Sequence, residues 1–152
     1  MKHLILALAL IAGTAQAEDA LVHDAYTAAG RDIGSTAIGL AAGLSEANPL
    51  GLLTIPLHAV AIEMSDKQPE PQRTNDLTTI TSVWDGVALF NVVTLLGGPI
   101  TVALAVGTAY LAHSYTATQP LLDEAVKRTD FALQCAQFLA QGPGRSCEYT
   151  KH

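Results

Sequence analysis

Apolar and polar residues alternate in long blocks along this chain. Beyond the N-terminal region, four apolar segments follow one another, at about 25–44, 50–64, 77–96 and 100–112. Each segment is long enough for a helix rather than a strand, and each consists mostly of Ala, Leu, Val, Ile and Gly. The pattern therefore predicts an all-α chain with four short apolar helices.

The third and fourth segments are separated by glycines and a proline. Residues 86–112 carry no charge, and as one helix they would span about 40 Å, which exceeds a hydrocarbon core of about 30 Å. Because glycine followed by proline ends one helix and begins another, Gly98 and Pro99 predict a tight helical hairpin. A single span with a kink at Pro99 is the alternative, since membrane helices tolerate proline.

A similar break divides the first two segments. Asn48 is a good N-cap and Pro49 a good first helical residue, so a hairpin is predicted here as well. Glu46 lies in the last turn of the preceding helix, where the helix dipole disfavours an acid. We therefore expect Glu46 to have a compensating partner and to brace the turn, and ligand binding is the alternative.

The two predicted hairpins occupy about 25–64 and 77–117, within a four-helix membrane domain at 18–118. The linker between them, residues 65–76, is polar, contains two prolines and is expected to be solvated. Residues 119–152 are expected to hold an amphipathic helix that begins near Pro120, followed by a tail. This helix is expected on the membrane surface or against the bundle, and an ordinary helix in a soluble core is the alternative.

Residues 1–17 have the pattern of a bacterial secretory signal peptide. Lys2 and His3 precede an apolar core, and Ala15-Gln16-Ala17 is an A-x-A cleavage site. An uncleaved anchor helix is the alternative, although the apolar core is short for a span. Export would hold the chain in the inner membrane, with the N- and C-termini in the periplasm and both hairpin turns in the cytoplasm.

Composition agrees with a membrane location. Hydrophobic residues make up 49% of the chain and charged residues 14%, against about 25% charged in a typical soluble domain. Small apolar residues suit close helix packing, so we expect lipid, partner helices or a second copy as neighbours. The net charge of −6 and the lack of a basic run argue against nucleic acid as a partner.

The chain has two cysteines, Cys135 and Cys147. An even count in an exported chain predicts a disulfide between them. The closed loop of about 13 residues would stabilise the fold by roughly 3 kcal/mol in the chain-entropy model. Two free thiols are the alternative, if the tail lies in the cytoplasm.

Ionisable residues fall at similar distances from the predicted turns. On a rise of about 1.5 Å per residue, four of them lie about 18 to 24 Å from the turn end: Asp32, Glu63, Asp85 and His113. In an aligned four-helix bundle they would form one polar layer near the outer face, and His58 and Asn91 are further polar residues in the apolar segments. One hypothesis is a site for a cation or proton, and the other is that the four mark where each helix leaves lipid.

Motifs for metal, cofactor or enzyme chemistry are missing from the sequence. It contains no C-x-x-C, H-E-x-x-H or C-x-x-C-H motif and no phosphate-binding glycine loop. No serine stands in a G-x-S-x-G setting. We therefore expect no metal, no cofactor and no enzymatic activity.

The first hairpin carries a recognisable combination of residues. Asp32 is followed by Ser35 and Thr36, and the helix ends in Glu46-Ala47-Asn48-Pro49. This pattern covers about 20 residues and resembles a group of small multi-helix prokaryotic membrane proteins of unknown function. That group has a basic residue in the second helix, where His58 is the nearest substitute in this chain. The resemblance implies a helical membrane fold and no reaction.

Together the patterns predict a polytopic membrane helical bundle of two tandem helical hairpins plus a C-terminal amphipathic helix. The expected role is a structural or accessory subunit of the bacterial inner membrane. A small channel or transport component for ions, protons or solutes, acting through the polar layer, is the alternative. An enzyme and a lytic pore former rank below both.

Overall fold

The computed structural model of the chain describes residues 20–43 and 51–141, with side chains from residue 55 onward in the second range. These residues form four α-helices and no strand: α1 (Ala20–Ala41), α2 (Gly51–Asp66), α3 (Gln72–Leu95) and α4 (Ile100–Leu139). The predicted all-α fold is confirmed for this part of the chain. The predicted signal peptide, residues 1–17, lies outside the described residues.

Helix α3 lies at the centre of the fold. It packs along α1 and along α4, while α2 makes smaller contacts with α1 and α3. Helices α1 and α3 run in the same direction, because Arg31 meets Asp85 while, farther along both helices, Gly39 meets Leu95. Within the described residues the backbone of α4 lies along α3 and not along α1 or α2, so the helices do not form the aligned four-helix bundle that was expected.

The linker between α2 and α3 is shorter than the predicted residues 65–76. Only residues 67–71 lie between the two helices, because the flanking polar residues form helix ends. Glu70 accepts hydrogen bonds from the backbone amide and the hydroxyl of Thr74, at 3.2 and 2.7 Å. These bonds satisfy an amide in the first turn of α3, which would otherwise lack a partner within the helix.

The chain reverses between α3 and α4. Gly97 adopts a φ angle of +79°, a left-handed conformation that favours glycine at the end of a helix. The amides of Leu96, Gly97 and Gly98 bond to carbonyls in the last turn of α3, and Pro99 precedes the first residue of α4. Because α3 and α4 then pack side by side, the break is a hairpin and not a kink in one span.

Two glycines allow α3 and α4 to approach closely. A Cβ atom added to Gly107 would lie 2.7 Å from the carbonyl oxygen of Gly86, and one added to Gly86 would lie 2.9 Å from the carbonyl oxygen of Gly107. Both distances are shorter than side chains tolerate, so glycine at both positions is needed for this spacing. The contact is of the small-residue type that brings helix backbones together in membranes.

Helix α4 is continuous, so no separate amphipathic helix begins at Pro120. Its 40 residues span roughly 60 Å. Pro120 lacks the amide that would bond to the Thr116 carbonyl one turn back. On the neighbouring Tyr115 carbonyl, the side chains of Thr118 and Gln119 donate at 2.8 and 3.3 Å. Past the proline, Ala125 is buried, and packing against α3 therefore supports the helix on both sides of Pro120.

The buried core is small, whereas many large apolar side chains are exposed. The core cluster consists of Val22, Ala25, Ala29, Ile62 and Leu77. By contrast, Leu57 is 59% exposed on α2, and Leu104 is 62% exposed on α4. Among the described helices, Gln72–Leu95 alone has the length and apolar composition to cross a membrane, a criterion that core helices of soluble proteins also meet.

Candidate functional site

Asp32 is the centre of a polar cluster buried between three helices. It lies on α1 and is 7% exposed. Its Oδ2 atom is 2.9 Å from Nε2 of His58 on α2, and its Oδ1 atom accepts a hydrogen bond from Nδ2 of Asn91 on α3 at 3.2 Å. Each carboxylate oxygen is therefore engaged by a different helix.

The amide of Asn91 extends this cluster along α1. Its nitrogen also lies 3.1 Å from Oγ of Ser35 and 3.2 Å from Oγ1 of Thr36. The amide nitrogen has two hydrogens, so three acceptors share them. The Ser35 hydroxyl donates to the Asp32 carbonyl at 3.0 Å and keeps its lone pairs for Asn91. We call the five residues Asp32, Ser35, Thr36, His58 and Asn91 the Asp32 cluster.

His58 is held from two directions. Its ring centroid lies 4.3 Å from that of Trp84 on α3, with the ring planes at 37°, and the residue is 4% exposed. The bond to Asp32 fixes the other side of the imidazole. When Asp32 is ionised, Nε2 must carry a hydrogen to make this bond, so the contact is charge-assisted with a neutral imidazole and an ion pair with an imidazolium.

A second charged contact joins α1 to α3. Nη1 of Arg31 donates to Oδ1 of Asp85 at 2.8 Å. Asp85 is buried, whereas the Arg31 side chain is 58% exposed. The guanidinium thus compensates a buried carboxylate while more than half of its own side chain stays accessible.

The structure does not bring the four residues of the predicted polar layer together. Asp32 and Asp85 belong to the two separate contacts above. Glu63 is exposed and accepts a hydrogen bond from the Tyr26 hydroxyl at 3.2 Å. His113 is exposed on α4, which packs mainly against α3 in the described part of the fold. The four therefore do not converge on one cation site.

The predicted polar layer pairs Asp32 with Glu63 and not with His58, because it places Asp32 by its distance from the turn at Asn48, whereas α1 ends at Ala41. On the helical rise, Asp32 lies about 14 Å before the end of α1, and His58 lies about 10 Å after the start of α2. The two residues are therefore at similar depths. A polar residue in each of two adjoining apolar segments was the signal that could have found the pair.

Several predicted turn and disulfide residues lie outside the described chain: Glu46, Asn48, Pro49 and Cys147. Cys135 is half-buried on α4, and its disulfide with Cys147 stays a prediction because the second cysteine is not among the described residues. Gly98 and Pro99 lie in the turn between α3 and α4, where the Gly98 amide bonds to the Val93 carbonyl at 3.0 Å. The turn-bracing role thus has a structural description at the second hairpin only.

The buried polar atoms of the Asp32 cluster are satisfied by hydrogen bonds. Where side chains are described, every buried side-chain nitrogen and oxygen has a hydrogen-bond partner, and no three His, Cys, Asp or Glu residues are grouped as metal ligands. Such a network suits fixed helix positions, and its acid–base pair is able to share a proton.

Comparisons with protein-family models, characterised proteins and solved structures find no match for this chain.

Proposed function

We propose that this chain is a non-enzymatic membrane-embedded protein that serves as a structural or accessory subunit. Its hairpins form a polytopic bundle in the bacterial inner membrane, after export by the signal peptide in residues 1–17. The N- and C-termini then lie in the periplasm, where Cys135 and Cys147 form a disulfide. Its neighbours are lipid and the helices of a partner protein or of a second copy.

The observation that carries this proposal is the distribution of polar and apolar side chains. Nine buried residues in the described chain are polar or charged, including Asp32, His58 and Asp85. Large apolar side chains lie outside, with Leu57 at 59% exposure and Leu104 at 62%. In soluble proteins leucine is among the residues most often buried, and aspartate is almost never fully buried unless paired. An exterior of this kind fits lipid or a partner helix better than water.

Within such a protein, the Asp32 cluster has a structural task. Apolar helix surfaces have no hydrophobic force between them in lipid, because lipid is as apolar as the helices. The hydrogen bonds that join Asp32, His58 and Asn91 are satisfied in one arrangement of α1, α2 and α3. The cluster therefore fixes α2, which has few other contacts, and leaves the outer face of α4 for lipid or a partner.

Extraction of bacterial membranes tests the membrane location. After expression of the full chain, we expect it to stay in the pellet when membranes are washed with alkaline carbonate or urea. Leu104→Arg should lower this retention, because it puts a charge on the apolar surface of α4 about 6 Å from the start of the helix. The cost in insertion free energy should be below the value of about 2.5 to 3.5 kcal/mol for arginine at the centre of a span. Gln134→Arg, at an exposed position in the second half of α4, is the matched control. Release of the parent chain by carbonate would contradict the proposal.

One observation favours a second function, the transport of protons or cations. Asp32 and His58 are both titratable and bond to each other inside the fold. Ionisable residues within membrane helices often form proton relays. Proton flux into proteoliposomes should then fall in Asp32→Asn, more than in Asp85→Asn, and stay unchanged in Asp123→Asn, an exposed control. Equal flux in the parent and Asp32→Asn discards this second function.

A further inference from the structure

A groove of about 540 Å³ opens at the junction of α1, α3 and α4. Its wall includes the small or apolar residues Gly34, Ile38 and Ala88. It also includes both members of the ion pair between Arg31 and Asp85. The groove is therefore a largely apolar surface with one charged pair set into it.

The ion pair lies at the middle of the predicted spans. On the helical rise, Arg31 lies about 15 Å before the end of α1, and Asp85 lies about 15 Å before the end of α3. This distance is half of a hydrocarbon core of about 30 Å. Charged side chains at this depth almost always face the interior of a bundle or a water-filled cavity. Because the Arg31 side chain is 58% exposed in the single chain, the surface around it is not suited to lipid.

The ion pair leaves both a donor and an acceptor open to the groove. In the described part of the chain, the Arg31 side chain makes one hydrogen bond, from Nη1 to Oδ1 of Asp85, although a guanidinium carries further N–H donors. The Oδ2 atom of Asp85 accepts none there, and it is accessible, since every fully buried side-chain oxygen has a partner. The pair as a whole has no net charge. A neighbour at this level is therefore expected to be neutral overall and to offer both an acceptor and a donor.

A second copy of the chain offers both groups at the same level. Two copies inserted in the same orientation are related by a twofold axis along the membrane normal, so equal residues lie at equal depth. A contact about such an axis is reciprocal: if Arg31 of one copy meets Asp85 of the other, the converse contact is made as well. The open donor of each copy then meets the open acceptor of the other. An anionic lipid or an uncharged helix does not match both groups.

Glycines on α1 allow a second helix to approach the groove. Gly34 lies on its wall, and a Cβ atom added there would meet nothing within 4 Å. Gly30, one turn earlier, is exposed and equally uncrowded. Small residues of this kind let the backbones of membrane helices come close. A larger side chain at position 34 therefore has room in the single chain and would obstruct a neighbour.

We propose that the chain forms a dimer in the membrane through this groove, with Arg31 of each copy paired with Asp85 of the other. The dimer rests on the proposed membrane location, and it identifies the protein neighbour of α1 and α3 as a second copy. The charges of both copies form a closed ring at the middle of the membrane, and the two chains shield this ring from lipid. Helix α4, with Tyr110 at the edge of the groove, stays toward lipid.

The test is photocrosslinking in bacterial membranes. The crosslinking amino acid p-benzoylphenylalanine replaces Ile38 in the full chain, which carries one epitope tag, and an unaltered chain with a second tag is coexpressed. The control places the same amino acid at Leu104 on α4. We expect a product with both tags from position 38 and little or none from position 104.

The two positions are matched in exposure and depth. Ile38 and Leu104 are each 62% exposed. On the helical rise, Ile38 lies about 4.5 Å before the end of α1, and Leu104 lies about 6 Å after the start of α4. Ile38 lines the groove and Leu104 does not. A difference in yield therefore reports on the groove and not on depth in the bilayer.

A second arm tests the close approach of the two copies. Gly34→Leu should lower the yield from position 38 about tenfold, the change that a loss of about 1.4 kcal/mol in association free energy produces. Ala105→Leu, at an exposed position of α4 that does not line the groove, is the control and should leave the yield unchanged. An unchanged yield in Gly34→Leu overturns the proposal.

A third arm tests the reciprocal ion pairs by an exchange of charge. In Arg31→Asp both charged residues of the groove are acidic, and in Asp85→Arg both are basic. Neither variant should form the product with itself, because like charges would meet at the twofold axis. The two variants expressed together should form it, because each acid then faces a base of the other copy. A mixture that gives no more product than either variant alone overturns the pairing.

The remaining outcomes separate the dimer from the membrane location. Equal yields of the two-tag product from positions 38 and 104 overturn the dimer, and so does a product from position 38 that contains lipid or an untagged protein instead. Retention in carbonate-washed membranes is measured for the parent and for every variant. If the parent is retained and position 38 gives no two-tag product, the dimer fails while the membrane location stands. If carbonate releases the parent, the membrane location fails, and the membrane dimer fails with it.

Discussion

The contact between Asp32 and His58 predicts a large energetic coupling. His58→Leu removes the imidazole but keeps a side chain of similar bulk against Trp84. It leaves the buried Asp32 carboxylate with Asn91 as its side-chain donor. Asp32→Asn removes the charge and keeps an oxygen that accepts from Asn91. Comparison of the two single variants with the double variant isolates the interaction between the two positions.

The expected magnitude follows from burial and distance. Asp32 is 7% exposed and His58 4%, with 2.9 Å between the bonded atoms. With a neutral imidazole, a hydrogen bond to a charged group contributes about 1.5 to 3 kcal/mol. With an imidazolium, two unit charges about 4 Å apart attract by about 4 kcal/mol at an effective dielectric constant of about 20, and desolvation offsets part of this. Removal of one partner of a buried pair costs about 3 to 5 kcal/mol. We therefore expect His58→Leu to lower the free energy of unfolding by about 3 kcal/mol and the coupling to be about 2 kcal/mol.

The assay is reversible unfolding in detergent micelles, followed by helical circular dichroism as a denaturing detergent is added. The control cycle uses Glu124 and Arg128, an exposed pair at 3.1 Å on the same helix face. Such exposed pairs couple by about 0.3 to 0.5 kcal/mol. A coupling between Asp32 and His58 no larger than that of the control pair would refute the reasoning, because the cluster would then fix no helix position.

Three further variants test the packing. Gly107→Ala should lower the free energy of unfolding by about 1 to 3 kcal/mol, because the added Cβ atom would lie 2.7 Å from a backbone oxygen. The control Gly30→Ala has open space around the added Cβ atom and should be neutral or stabilising. Equal effects of the two variants in the micelle assay would contradict the close contact. Arg31→Gln should destabilise the fold more than the double variant Arg31→Gln/Asp85→Asn, because the single change leaves a buried carboxylate without its cation. A double variant that melts at a lower temperature than Arg31→Gln would exclude this pairing. Pro120→Ala should raise the free energy of unfolding by up to about 3 kcal/mol, since it restores a helix amide; a lower melting temperature would show that α4 needs the proline.

The local sequence pattern predicts the fold well where the backbone preferences of glycine and proline determine the conformation. Gly97 at positive φ and Pro99 before α4 end and begin helices whatever surrounds them, so the hairpin at this point was predictable. At Pro120, by contrast, the predicted start of a helix is wrong, because α4 continues through this residue. Proline favours the start of a helix, but tertiary packing against α3 lets α4 continue through it.

The candidate site was predictable in its residue types and not in its partners. Asp32, His58 and Asn91 stand out as polar residues in apolar segments. Their meeting depends on where α1 ends and on the parallel packing of α1 with α3, and neither is encoded in local spacing. His113 shows the limit of counting from turns, since it lies exposed on α4, whose main packing partner in the described residues is α3. A depth along one helix does not say which helices are neighbours.

The most direct test of the account is the depth of α4 in a bilayer. In a Trp84→Phe background, a single tryptophan is placed at Tyr110, an exposed position about 15 Å from the start of α4, and in a second chain at Lys127. Both are reconstituted into liposomes whose lipids carry bromine deep in the acyl chains. We predict strong fluorescence quenching at position 110 and little at position 127, which lies about 40 Å from the start of α4. Equal, weak quenching at both positions would contradict a membrane-embedded apolar surface.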